Sequence, residues 1–263
     1  MNYQNQNQYQ YPNYNPNEQL TFDQIGNSEN IYSQAKEEEI RSEINTTIRL
    51  GFIRKVYGIL SIQLLITTIF TFYAMISQSL KEFMVTHLGT LIVIFILLII
   101  LPIIIVCCQG IMRQVPQNYI ILFLFTLAES YCVAFICAYT RPEVVFMAAA
   151  MTCVMVVTLT LYAINTKTDI TMQGGLFFIL SAALFLFVIF SWFTRNSLIQ
   201  IIIALICVVL FSLYIIYDTQ IIMGNKQDMI QVDDYILGAF MIYTDIISLF
   251  LQLLKIINYF YDN

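Results

Sequence analysis

The chain has 263 residues, 59% of them hydrophobic and 11% charged, with a formal net charge of −5. Soluble domains carry about 25% charged residues, so this composition, with a mean hydropathy of +0.74, excludes an ordinary soluble globule and points to a polytopic all-α membrane protein. The acidic excess lies mainly in the N-terminal tail and the last loop, and no basic patch of the kind that binds nucleic acid is present.

Residues 1–30, MNYQNQNQYQYPNYNPNEQLTFDQIGNSEN, are rich in Asn, Gln, Tyr and Pro. They hold too little apolar surface to offset the entropy of ordering, which predicts a disordered tail. A purely solvated tail is one reading; docking of cytosolic or membrane protein partners through its Tyr and Pro residues is the other. The polar start lacks the basic n-region and short apolar h-region of a cleavable signal peptide. The first spanning helix is therefore expected to serve as the insertion signal. In residues 31–55, Ile40, Ile44, Ile48 and Phe52 recur every fourth position among Lys36, Glu37, Glu38, Glu39, Arg41 and Glu43. That spacing gives one apolar stripe on a helix, expected to lie at the membrane surface before the chain turns into the first span.

The transmembrane domain is expected over 56–263, with seven helices at 56–77, 87–108, 117–139, 143–164, 175–193, 197–222 and 235–258. Each has about the 20 apolar residues that a bilayer crossing needs, and short turns such as RQVPQ (113–117) and TRPE (140–143) make sequential helices antiparallel neighbours. Pro102 inside the second helix predicts a kink. Arg49, Arg54 and Lys55 flank the first helix, and the positive-inside rule places that side and the tail in the cytosol. The remaining loops do not decide it, because Arg113, Lys167 and Lys226 fall on that side and Lys81, Arg141, Arg195 and Lys255 on the other.

The six cysteines, Cys107, Cys108, Cys132, Cys137, Cys153 and Cys207, lie in or at the edge of apolar segments without C-x-x-C spacing, and His87 is the only histidine. They are read as small apolar side chains rather than as a zinc or disulfide framework. No resident cofactor is expected.

Three acids interrupt the spans: Glu129, Asp218 and Asp245. Asp245 has no charged residue within nine positions on either side, and a carboxylate at a helix centre costs roughly 2.5–3.5 kcal/mol on insertion scales. Such an acid faces protein or a water-filled cavity, where it either fixes packing or marks an ion or proton route. At 1.5 Å per residue, Asp218 lies about 6 Å from the end of its helix and Asp245 about 15 Å from the start of its own. Antiparallel neighbours could bring the two together as a pair that shares one proton, a pH-sensing and gating dyad. Arg54 and Lys55, at the same membrane face, are the candidate counter-charges, and Glu129 is a candidate pathway acid.

Two carboxylates with the hydroxyls of Thr219, Thr244 and Tyr243 could hold Ca²⁺ weakly and transiently, since a tight site takes six to eight oxygens. Weak binding suits a permeant ion that must leave again. The loop 225–234, NKQDMIQVDD, adds Asp228, Asp233 and Asp234 and is read as a solvated acidic loop. Enzymatic readings fare worse. His87 lies far from any G-x-S-x-G serine motif, and Asp218 and Asp245 sit in YDTQ and YTDI rather than in the contexts of paired-aspartate intramembrane proteases. A seven-helix receptor would carry D-R-Y-like and N-P-x-x-Y-like runs that this chain lacks.

The stretches FIRKVYGILSIQLLITT (52–68), FTLAES (125–130), LTLYAINTKTDIT (159–171), YIIYDTQIIMGNK (214–226) and DDYILGAFMIYTDIISLFLQLLKII (233–257) occur in the order and at the spacing of a known family. Through them the chain resembles the transmembrane Bax inhibitor motif family, in its lifeguard branch of glutamate-receptor-associated-protein relatives. The resemblance implies seven helices with the last wrapped by the other six, a pH-gated Ca²⁺ leak from endoplasmic reticulum or Golgi membranes, and restraint of cell death. It maps the family's gating di-aspartate onto Asp218 and Asp245, and a family glutamate onto Glu129. Bacterial relatives pair the dyad with an arginine in the second helix; residues 87–108 here contain none, so Arg54 or Lys55 would substitute. A non-conducting adaptor acting through tail and helices, and a proton-coupled cation exchanger, remain the alternatives.

Overall fold

A computed structural model describes residues 22–166, 168, 174–193, 197–224 and 230–262. All regular structure among them is helical: α1 Phe22–Ile76, α2 Gln78–Thr86, α3 Leu88–Cys107, α4 Gln109–Met112, α5 Gln117–Ala138, α6 Pro142–Asn165, α7 Gly174–Phe193, α8 Ser197–Met223 and α9 Tyr235–Asp262. The chain divides into two units, Met1–Gly51 and Phe52–Asn263.

The tail expected to be disordered falls mostly on residues 1–21, outside the described residues; α1 begins at Phe22, inside that stretch. Within the first unit Ile40, Ile44 and Ile48 are exposed, as a stripe awaiting an apolar surface would be. Phe52, the fourth residue of that stripe, is buried in the core of the second unit. Gly58 does not interrupt α1, because helical hydrogen bonds there cost only the glycine's extra freedom, about 1 kcal/mol against Ala.

Six helices in α1, α3, α5, α6, α8 and α9 are long and apolar enough to cross a membrane, and α7 is a further apolar helix of 20 residues. Between them sit α2 and α4, short helices that the sequence reading did not separate from the spans. Local chemistry sets the ends. Ser77 caps α2 by accepting from the Leu80 N–H at 3.3 Å, Pro142 occupies the first turn of α6, where its missing N–H costs nothing, and α3 continues past Pro102 to Cys107. Gly224, at φ 70°, stops α8 while its N–H still reaches the Gln220 carbonyl at 3.1 Å, a left-handed cap that favours glycine.

The second unit has an apolar exterior around a core that is itself mostly apolar. On α1, Ile62, Leu65, Ile69, Phe72 and Tyr73 are exposed while Gln63, Thr67 and Thr71 are buried. An apolar outside, with the polar side chains of the spans turned inward, is the arrangement a lipid solvent demands. Burial also singles out one helix: 67% of the apolar window of α9 is buried, against 28% for α1 and 11% for α3. The last helix is thus the one the others wrap. α8 runs antiparallel to it, with Asp218 beside Asp245 and Cys207 beside Lys255, whereas α1 and α5 run parallel to it, as the contacts Lys55–Tyr235 and Thr67–Tyr243 for α1, and Asn118–Tyr235 and Phe125–Phe240 for α5, require.

Gly238 lets α1 and α8 close on α9. A Cβ built there would meet Val56 Cγ2 at 3.3 Å and Ile222 Cδ1 and Cγ1 at 3.5 Å. Gly238→Leu is therefore expected to overpack the crossing and destabilise by about 1–3 kcal/mol, seen as a lower midpoint in thermal unfolding of detergent-solubilised protein. An unchanged midpoint would show that the three helices do not approach this closely.

Candidate functional site

The two acids of the inner helices meet. Asp218 is 5% and Asp245 8% exposed, and the carboxyls lie within hydrogen-bonding reach of each other across the α8–α9 contact. Asp245 Oδ2 is buried with no partner. Tyr214, one turn before Asp218, stands close enough to feel both acids, and its hydroxyl is held by Ser181 Oγ on α7 at 2.6 Å. Among the described residues, the charge set against each acid is that of the other.

The counter-charge candidates lie elsewhere. Arg54 and Lys55 are exposed on α1, and Lys55 Nζ sits 5.2 Å over the ring of Tyr235. Tyr235 precedes Asp245 by ten residues, about 15 Å along α9. Glu129 is half-buried on α5 and feels Tyr243 and Cys132 rather than the acid pair. Tyr243 and Asp245 are two positions apart, so they leave α9 on nearly opposite faces. That geometry separates Glu129 from the dyad.

The hydroxyls named with the dyad are differently placed too. Tyr243 OH bonds Thr67 Oγ1 at 2.8 Å, Thr244 Oγ1 bonds back to the Phe240 carbonyl at 2.8 Å, and Thr219, buried, faces the Tyr57 hydroxyl. Among the described residues no three His, Cys, Asp or Glu side chains gather as a metal site. Chemically, the dyad is a two-carboxylate element that can hold a proton between its oxygens or meet a cation with few ligands.

Two polar constellations were not anticipated. Gln63 Nε2 donates to Thr126 Oγ1 at 3.0 Å, and Thr67 Oγ1 lies 2.9 Å from Ser130 Oγ, so a buried ladder joins α1, α5 and, through Tyr243, α9. Its signal is present in the sequence as Gln63, Thr67 and Thr71 at four-residue spacing, but without charge it does not stand out among apolar neighbours.

The second is a correction. Against the expectation of a solvated loop over 225–234, Asp234 is 8% exposed and pairs in two-pronged fashion with Arg113, Nε–Oδ1 at 2.8 Å and Nη2–Oδ2 at 2.9 Å. Asp233 is exposed, and Asp228 lies outside the described residues. The pair succeeds because Asp234 precedes α9, where a negative charge complements the helix dipole, and the planar guanidinium matches both carboxylate oxygens. Hydrogen bonding to Asp234, and its charge, push the Arg113 pKa above its ordinary value. The contact is therefore complete below the unfolded value and lost on the arginine side only as pH rises through the higher folded one. It does not titrate there at neutral pH. Together with Lys55–Tyr235 and the Asn118 Nδ2–Tyr235 OH bond of 3.1 Å, it fastens the start of α9.

Comparison with known proteins bears on residues 49–262, which match the family model described as inhibitor of apoptosis-promoting Bax1; Glu129, Asp218 and Asp245 all fall inside the match. The human protein named lifeguard 3 is 34% identical over 219 residues, covering 80% of this chain and 69% of its own length. Its mouse counterpart is 32% identical over 222 residues, covering 80% and 70%. A protein of Arabidopsis thaliana named LIFEGUARD 2 is 33% identical over 219 residues, covering 80% and 88%. With six apolar helices packed around a buried acidic seventh among the described residues, and with a match that spans the whole of that bundle, the chain belongs to the Bax inhibitor family, on its lifeguard side.

Proposed function

We propose that this protein is a pH-sensitive passive Ca²⁺ leak of endoplasmic reticulum or Golgi membranes, with its N-terminal tail in the cytosol, and that it restrains cell death. The observation that carries the reading is the contact of Asp218 with Asp245, two carboxyls buried between α8 and the central α9 with no cation set against them among the described residues. A packing role alone would be filled more cheaply by neutral groups, since intramembrane acids are costly and by default mark ion or proton routes. Two carboxylates without further acidic ligands favour brief occupancy by a hard cation, as permeation requires. The link to cell death rests on the family description and the lifeguard names of the relatives.

The mechanism follows from proton count. With one proton on the pair, a hydrogen bond holds α8 against α9 and the path is shut. Loss of that proton leaves two carboxylates in contact, their repulsion parts the helices, and the path opens. The leak therefore rises with pH. The test is Ca²⁺ efflux from liposomes containing purified protein, at equal pH inside and out, from pH 5 to 8. Efflux above empty liposomes that grows with pH supports the leak. Absence of efflux at every pH rejects it in favour of a non-conducting adaptor, and efflux that needs a proton gradient rejects it in favour of an exchanger.

A further inference from the structure

The buried ladder on the other face of α9 is short of hydrogens. Thr126 Oγ1 donates to the Leu122 carbonyl at 2.8 Å, Ser130 Oγ to the Thr126 carbonyl at 2.6 Å, and Thr67 Oγ1 to the Gln63 carbonyl at 2.9 Å. Each hydroxyl has one hydrogen to give, and these three are then used. The hydrogen of Tyr243 serves its 2.8 Å contact with Thr67. None remains for the 2.9 Å contact between Thr67 Oγ1 and Ser130 Oγ. Because Thr126 has spent its hydrogen, Gln63 must meet it as the donor, through Nε2. Its Oε1 is accordingly left buried without a partner, as is Thr71 Oγ1 one turn beyond Thr67.

A seam that leaves buried polar atoms without partners, inside a protein, is completed by water or by a bound ion. Gln63 is 3%, Thr67 4% and Thr71 8% exposed, so bulk solvent does not satisfy them. The three follow one another along a single face of α1, which spreads the buried polar groups over two helical turns, about 12 Å. Glu129, next to Ser130 and near enough to act on Tyr243, is a carboxyl that, when ionised, would draw a cation to the same level. We propose that the seam between α1, α5 and α9 is a hydrated segment of a cation path, with Thr67, Ser130 and Tyr243 at its narrowest point. The inference deepens the leak reading and rests on it for the identity of the ion. The water comes from the unpartnered atoms of the seam, and the sign of the charge from Glu129 beside it.

The test uses the full chain with its six cysteines replaced and single cysteines placed at Gln63→Cys, Thr71→Cys, Leu65→Cys or Ile69→Cys, reconstituted in liposomes. Thiols react with methanethiosulfonates as thiolates, which form in water and not in lipid. Gln63→Cys and Thr71→Cys are expected to react with the trimethylammonium reagent at least about tenfold faster than the lipid-facing pair, and faster with it than with the sulfonate reagent, since a cationic group is favoured where negative charge is focused. Thr71→Cys removes a hydroxyl that has no partner, and so carries the test if Gln63→Cys fails to fold. Rates equal to those of Leu65→Cys and Ile69→Cys would make the seam a dry packing device and overturn the proposal, as would equal rates for the two reagents. Labelling needs no flux. An inert seam in a leaking protein removes the path alone; a reactive seam in a protein without a leak removes the leak reading and leaves the path.

Discussion

Asp245→Asn protein in liposomes is expected to show a Ca²⁺ leak that stays low and flat from pH 5 to 8, across a range where the wild-type leak rises. An amide at position 245 can donate to the Asp218 carboxylate, so it reproduces the closed hydrogen bond without a proton that can leave. Repulsion between two carboxylates, the opening force, is then absent at every pH. Opening linked to the loss of one proton changes by at most tenfold per pH unit, about 1.4 kcal/mol, which bounds the wild-type slope and makes its loss easy to measure. Asp218→Asn is expected to act in the same way, because the titration belongs to the pair and not to either acid. The double substitution should add little to either single one, as expected for residues that act as a unit. Asp233→Asn, which neutralises an exposed loop acid, should keep the wild-type profile and so control for the general change in charge. A wild-type slope in Asp245→Asn would remove the dyad from the gate.

The parts of this protein legible in its sequence are those written in the contrast between charge and lipid. Asp245 in a long apolar run identifies the helix that must be buried, and α9 is the most buried of the spans. Its meeting with Asp218 follows from two helices joined by a short loop, a local constraint that fixes antiparallel packing. What escaped depends on partners distant along the chain. Arg113 and Asp234 are 121 positions apart, and nothing near either residue says that the loop acid turns inward while its neighbour Asp233 does not. Lys55 and Tyr235 are similarly remote; without that contact a lysine at the membrane face looked available to the dyad. The ladder of Gln63, Thr67, Thr126, Ser130 and Tyr243 was overlooked for another reason. Hydroxyls and amides are cheap enough in a helix, through bonds to their own carbonyls four residues back, that their spacing alone does not announce a seam. Only the facing helices reveal that their remaining lone pairs converge.

Asp218→Leu/Asp245→Leu protein is expected to be more stable than wild type by about 1–4 kcal/mol, the range found when buried ionic groups give way to apolar side chains of similar shape. Leucine has the same branching as aspartate, and Ile215, Ile222, Ile242 and Leu249, one turn before and after the two acids on α8 and α9, are all buried. Both carboxyls are removed at once, which matters. A single Asp245→Leu change would strand Asp218 without the partner that shares its proton, and that penalty opposes the gain. Asp245 Oδ2 has no hydrogen-bond partner even in the native pair, so the pair is an incompletely satisfied polar element, the kind that weakens a core. If the acids instead exist to fasten α8 to α9, the double substitution removes a useful interhelical bond. Such bonds within membranes average only about 0.6 kcal/mol and reach about 1.7, so a structural role predicts a small loss where the gating role predicts a clear gain. Thermal unfolding in detergent separates the two signs. A raised midpoint in protein that no longer leaks with a pH-dependent rate would mean that stability is sacrificed at these two positions for the ability to open, as functional sites commonly require. A lowered midpoint would assign the carboxyls to packing and withdraw the observation on which the gate rests.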